Sequence, residues 1–303
     1  MKFKIILILS MLTLFLTGCM GQNDVGVGPQ GPYLYSAPTA IEANFVPGIP
    51  MTSEHNPYQR GETIPVSIEL RNQLPEDLPE NTVKLRLTGD AAIPNYFTGA
   101  REETSPRLYA RDFYMGMEMP EEVDMGPITY IGDLPAKTPK TITAQYCYQV
   151  PVKVVAFLYY TNYANEIGRN LVPSSHPPSR IRISDILQYP ARVREDGTAD
   201  MRFRITVRNE GPGTIIESMD NCFKFRDRTE REVVKLDAHG AYNIDCGDGI
   251  IRLSRDTKMG TIDCTVSGID PSNFSPLPSQ VFLTLTDFAY EENIKPVTIY
   301  LEP

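Results

Sequence analysis

Chemistry at a protein site needs nucleophiles, bases or metal ligands, and this chain of 303 residues holds only five cysteines and three histidines. Hydrolysis by a serine or cysteine nucleophile needs a base beside it, usually histidine. His55 stands in Glu54-His55-Asn56-Pro57, His176 in a proline run and His239 in Asp237-Ala238-His239-Gly240. All three read as solvent-facing loop residues, and no Gly-x-Ser-x-Gly accompanies them. Neither Cys-x-x-Cys nor His-Glu-x-x-His spacing is present, which removes the usual zinc arrangements. The acids of Asp245-Cys246-Gly247-Asp248-Gly249 and Glu195-Asp196-Gly197-Thr198-Ala199-Asp200 surround glycines as calcium loops do. Neither follows the EF-hand order, however, and Asp-Gly is common hairpin-turn chemistry. The residues therefore predict no catalytic centre, no metal and no cofactor, and the chain is expected not to be an enzyme.

The cysteines divide into one and four. Met1-Lys2-Phe3-Lys4 is a short basic head, and Ile5 to Leu16 is an almost continuous apolar run, the pattern of a signal peptide. A spanning helix needs about 20 apolar residues. This run is interrupted at Gly18 and followed by Gly21-Gln22-Asn23-Asp24. Its end, Leu16-Thr17-Gly18-Cys19, resembles the lipobox of bacterial lipoproteins and its archaeal counterpart, in which an aliphatic residue and two small ones precede the cysteine that carries the lipid. The resemblance implies a signal peptide over 1–18 and a lipid on Cys19, with each buried methylene adding about 0.8 kcal/mol to the anchor. Cys147, Cys222, Cys246 and Cys264 remain, an even number that in an exported chain favours disulfides over metal. Cys246 and Cys264 flank a hairpin-like stretch from Asn243 through Ile250–Leu253 to Thr261 and are expected to pair. Cys147 with Cys222 would then be the other bridge, and two free buried thiols are the alternative.

Residues 1–18 contain two lysines and no acid, so the remaining chain has 27 basic and 38 acidic residues, a formal charge of −11. Such a surface has no electrostatic reason to seek nucleic-acid phosphates. It also repels anionic headgroups, which leaves the lipid on Cys19 as the expected membrane contact, at the outer face of the cytoplasmic membrane or on the outer membrane. With 26 prolines, 21 glycines, no tryptophan and little helical periodicity, the pattern predicts an all-β chain of short strands joined by turns.

The elements fall into two blocks. Residues 19–40 carry the anchor cysteine and a Gly- and Pro-rich tether. Residues 41–172 read as a first β-sandwich domain, 173–179 as a proline-rich linker, and 180–303 as a second sandwich. Ile64, Val66, Ile68 and Leu70 alternate in the first block, and Met201, Phe203, Ile205 and Val207 in the second, each strand following a turn glycine and ending on Arg-Asn. These strands are candidate equivalents, 137 residues apart at Asn72 and Asn209. Val155–Tyr160 and Val281–Thr286 also match loosely, which together points to duplication. An irregular insertion at 91–125 gathers Tyr96, Phe97, Tyr109, Phe113, Tyr114, Met115, Met117 and Met119. Methionine-rich surfaces adapt to partners, and loops on a rigid sandwich often carry recognition. These eight residues are the candidate partner surface, and the competing reading folds the insertion over its own core.

Arg208-Asn209-Glu210-Gly211-Pro212-Gly213, closing an alternating strand, resembles the CARDB type, the cell-adhesion-related domains of bacterial and archaeal surface proteins. The resemblance covers the second block best. In the first, Asn72-Gln73-Leu74-Pro75 replaces the glycine turn. It implies two tandem immunoglobulin-like antiparallel β-sandwiches. The expectation is a noncatalytic envelope lipoprotein acting as an adhesion, scaffold or assembly module on an unknown surface protein or glycan. The alternatives are an extracellular carbohydrate-binding or hydrolytic protein and an accessory subunit of a secretion or transport complex.

Overall fold

A computed structural model describes residues 39–303 apart from 112–118, 163–168, 172, 174, 225–231 and 276. The first strands are β1 (Ile41–Phe45), β2 (Thr63–Ile64), β3 (Ser67–Asn72), β4 (Val83–Gly89), β5 (Phe97–Thr98), β6 (Glu102–Thr104), β7 (Glu121–Asp124) and β8 (Ile128–Tyr130). The central ones are β9 (Thr138–Tyr148), β10 (Val152–Leu158), β11 (Arg169–Leu171), β12 (Ile181–Gln188), β13 (Arg192–Val193) and β14 (Ala199–Asn209). Then come β15 (Thr214–Ile216), β16 (Glu232–Gly240), β17 (Asn243–Asp245), β18 (Ile250–Leu253), β19 (Met259–Ile269), β20 (Ser279–Thr286), β21 (Ala289–Asn293) and β22 (Val297–Leu301). The fold is all-β, as the alternation predicts. In β14, Met201, Phe203, Ile205 and Val207 are at most 1% exposed, while Arg202 and Arg204 between them face out. Each such buried side chain contributes about 1.5–3 kcal/mol by leaving water. Among the described residues no helix is long and apolar enough to cross a membrane.

The strands form antiparallel sheets ordered β1-β3-β7 and β15-β21-β9-β4-β6 with β22 also on β9, then β11-β12-β14-β19-β17 and β10-β20-β16-β18, and a small β2-β8-β5 sheet. Most inward rows merge into one apolar core that runs from Ala40 to Leu301, and a smaller cluster of Cys147, Ile216, Cys222, Phe223 and Ala289 lies apart from it.

The two strand ends at Asn72 and Asn209 share a local structure. Ile41 pairs with Asn72 in β1–β3, and Ile181 with Asn209 in β12–β14. Asn72 and Asn209 are both buried, and their side chains bond alike. Each Oδ1 accepts the amide two residues on, at 2.9 Å from Leu74 and 3.0 Å from Gly211. Each Nδ2 donates to the carbonyl four residues on, at 2.7 Å to Glu76 and 3.1 Å to Gly213. The next amide closes the first strand's edge in both: Gln73 to Ala40 and Glu210 to Arg180. Buried backbone groups at the end of a strand must find partners, and a short carboxamide supplies two at once.

The strand pairing departs from two blocks in series. β9 is paired with β4 on one side, and β20 with β16. The next strand in sequence does not complete either sheet locally. β10 runs along β20, from Val152 opposite Leu285 to Leu158 opposite Ser279. In return β21 and β22 run along β9, from Tyr290 opposite Tyr148 to Leu301 opposite Thr138. Strands from before and after 173–179 thus share two sheets, and Ser36–Pro303 forms one compact unit. The proline-rich run 173–179 does not separate the sheets. Val155–Leu158 and Val281–Thr286, which match as sequences, are neighbours in one sheet and not counterparts.

Both pairs of cysteines are bridged, Cys147 to Cys222 and Cys246 to Cys264. The first ties β9 to the segment after β15, across the two halves.

Candidate functional site

The insertion at 91–125 is stitched to the sandwich beneath it. β5 pairs with β8, β6 with β4, and Leu108 bridges to Leu78. Asp77 takes Ala110 N at 2.8 Å and Arg107 Nη2 at 2.6 Å, and these two bonds hold its carboxyl below the usual aspartate value. Phe97, expected on a partner surface, is 3% exposed and tilts against Tyr130 at 6.0 Å. It is a core residue, because the short β5–β8 pairing turns its ring inward. Tyr96 is partly buried against the same core, with Lys140 Nζ 3.8 Å from the centre of its ring. Tyr109 and Met119 do face solvent, at 44% and 60% exposure. Phe113, Tyr114, Met115 and Met117 lie outside the described residues, as do Leu16, Thr17, Gly18 and Cys19.

The acidic loops are spent on turns. Asp245 Oδ1 accepts Gly247 N, Asp248 Oδ1 accepts Ile250 N, and Asp196 Oδ1 accepts both Thr198 N and Thr198 Oγ1. Among the described residues no group of three or more His, Cys, Asp or Glu is placed to hold a metal. His55 is exposed, and His239, also exposed, meets Asp237 Oδ2 at 2.9 Å. His239 lies opposite Phe282, which lies opposite Val155, and Phe282 is half exposed on this outer sheet face. His176 departs from the loop reading. It is partly buried, and both its ring nitrogens are bonded.

The most heavily built polar site lies where β21 returns to β9. Arg180 and Glu292 form an ion pair at 3.2 Å, each side chain only 10% exposed. Glu292 Oε2 also accepts Tyr146 Oη at 3.2 Å, and Tyr290 Oη accepts Gly213 N at 2.8 Å. Tyr148 shares a hydrogen bond with Thr39 Oγ1 and stacks on Tyr146, with ring centres 5.8 Å apart. Burial pushes the hydroxyls of Tyr146, Tyr148 and Tyr290 well above the ordinary tyrosine value. They therefore act as neutral hydrogen-bonding groups around a charged pair. The turn after Asn209 must lie flat on them. A side chain at Gly211 would begin 2.0 Å from Tyr290 Oη, and one at Gly213 would begin 2.2 Å from the Glu291 carbonyl. This close approach is the structural use of the Gly-Pro-Gly run.

Beside this network opens a cleft of about 230 Å³ lined by Gln145, Gly213, Thr214, Glu291, Glu292 and Asn293. Its wall is polar and acidic. Arg86 closes the neighbouring side, donating to Gln145 Oε1 at 3.1 Å and lying 4.8 Å over the Phe223 ring beside the Cys147–Cys222 bridge. None of Arg180, Glu292, Tyr146, Tyr148 or Tyr290 was singled out from the sequence. The available signal was tyrosine recurring at 146 and 148 in a strand whose last three residues are all buried.

No known protein family matches the chain, and no curated protein does. Among solved structures the chain is similar to a serine-rich repeat adhesion glycoprotein from Streptococcus agalactiae, at 12% identity over 90% of this chain and 99% of that one, with a TM-score of 0.19. It is also similar to part of the N-terminal region of an enterococcal surface protein, at 11% identity over 88% and 94% of the two chains, with a TM-score of 0.20. At such low TM-scores neither likeness bears on fold or function.

Proposed function

We propose that the chain is a noncatalytic cell-envelope lipoprotein, held in the membrane through Cys19, which presents its strand-exchanged β fold as an adhesion, scaffold or assembly module. The observation that carries this reading is the partition of the cysteines. Four of the five are consumed in two disulfides, the bond of an oxidising compartment, which suggests an extracellular protein. The fifth is Cys19, directly after Leu16-Thr17-Gly18. The loop acids and His176 are also taken up by turns and strand edges, which fits a chain whose polar side chains serve structure more than chemistry.

Replacing Cys19 by serine and fractionating the cells tests the anchor. The variant is expected in the soluble fraction, and its persistence in washed membranes would mean that the apolar segment itself holds the chain. Affinity capture from crosslinked native membranes, with mass spectrometry, tests the role. A recurrent envelope protein partner is expected. Recovery of none, together with glycan-array binding lost on substituting Glu291 and Asn293 in the cleft, would replace the scaffold reading with a carbohydrate-binding one.

A further inference from the structure

The free edge of β12 is capped by side chains where a strand is missing. β11 covers β12 only at Ile186, Leu187 and Gln188, and among the described residues no strand pairs with the stretch from Ile181 to Ile183 on that side. Unpaired strand amides are costly when buried and invite foreign strands when exposed. The segment from Ser175 to Arg180 meets this need with two side chains. Ser179 Oγ accepts Ile181 N at 3.1 Å, and His176 Nε2 accepts Ile183 N at 3.1 Å. Pro177 and Pro178, having no N–H, cannot form a ladder there themselves.

The two caps differ in one respect. A serine hydroxyl keeps its lone pairs at any ordinary pH, but an imidazole nitrogen accepts only while unprotonated. Because Nε2 accepts Ile183 N, the ring proton sits on Nδ1, which donates to Pro177 O at 3.0 Å. A second proton can enter only at Nε2, and it removes the acceptor that Ile183 N–H uses. The segment also bridges to the exchanged strand, through Ser175 opposite Val155 of β10. We propose that His176 is an acid-operated latch, holding the Ser175–Pro178 part of the strap on the open edge of β12 and releasing it when the imidazole takes up that second proton, while Ser179 stays on Ile181.

The charges around it support the direction. Arg182 on β12 opposes a second positive charge, and Glu210, ion-paired with Arg182 at 3.6 Å, partly offsets it. Arg180 on the strap is turned away to Glu292, and Lys153 on β10 is held by Glu76 at 3.2 Å. Burial, the largest influence, holds the imidazole below the usual histidine value of 6.5, against the bond to Pro177 O, which favours the charged ring. Once the strap lifts, the imidazole regains its ordinary affinity for protons. Opening is therefore favoured as pH falls below that value.

Amide-resolved hydrogen exchange of the full chain tests the latch, with Ile181 as an internal control. After correction for intrinsic rates, protection at Ile183 should fall about tenfold from about pH 7.5 to about pH 5, while Ile181 holds. His176→Gln keeps an acceptor on a side chain of similar reach and should abolish the response. The nitrogen shifts of the wild-type ring give a readout independent of any variant, and His176 should titrate below an exposed histidine. Ile183 protection that does not change with pH, a His176 that titrates as an exposed one, or an equal fall in His176→Gln would each overturn the proposal.

Discussion

Removing the Cys147–Cys222 bridge should destabilise the protein more than removing Cys246–Cys264, and the spacing of the cysteines sets the margin. A cross-link withholds loop-closure entropy from the unfolded chain, and the effect grows with the logarithm of the loop it closes. Separations of 75 and 18 residues give about 4.5 and about 3.2 kcal/mol by that relation, a difference of about 1.3 kcal/mol. Packing sharpens the contrast little, since Cys147 and Cys264 are both fully buried and alanine leaves a small void at either. The comparison is therefore between Cys147→Ala with Cys222→Ala and Cys246→Ala with Cys264→Ala, each pair removed together so that no free thiol remains. Urea unfolding followed by circular dichroism, under identical non-reducing conditions, gives the two losses. The first pair should lose more, with a steeper slope, because the unlinked chain unfolds to a more expanded state. Equal losses, or a larger loss for the second pair, would refute the reasoning that the long bridge constrains the unfolded chain across both halves.

Three further outcomes follow from the same structure. Glu292→Leu removes the carboxylate that balances the buried Arg180 guanidinium and should cost about 3–5 kcal/mol in urea unfolding, while adding Arg180→Leu should recover part of that loss. Phe97→Ala should cost about 3–5 kcal/mol as a core deletion, and Tyr109→Ala under about 0.5 kcal/mol, the reverse of what a shared partner surface would give. Tyr146, Tyr148 and Tyr290 are held neutral by burial, so the unfolded chain releases their protons first and stability is lost as pH rises above 10.0, the ordinary tyrosine value. Tyr146→Phe should flatten that alkaline loss, as followed by tyrosinate absorbance and circular dichroism together.

The sequence carried the burial of strands but not their neighbours. Alternation at Met201–Val207 located β14, while the run Ile64–Leu70 divides between β2, which holds Ile64, and β3, in different sheets, although one buried face leaves a period of two in the residues of both. The Arg-Asn endings also marked two turns in which Asn72 and Asn209 bond alike. The exchange of β10 against β21 and β22 left no such mark. A strand that closes its own sheet and one that closes another have the same alternation, so 173–179 looked like a domain boundary. Phe97 and Tyr109 were alike as exposed aromatics in an irregular segment, and only the β5–β8 pairing distinguishes them. The Arg180–Glu292 pair escaped notice because 112 residues separate its partners and no local pattern links them. His176 looked like an exposed linker residue, because a side chain capping a strand edge has no sequence signature.

Intact-mass spectrometry of the protein taken from its own membranes, without reduction, tests the central claim most directly. The account predicts a chain that begins at Cys19, heavier by a lipid, with no thiol open to alkylation at Cys147, Cys222, Cys246 or Cys264. A chain that retains Met1, or begins beyond Cys19 without lipid, or takes up alkylating reagent on those four cysteines, would contradict it.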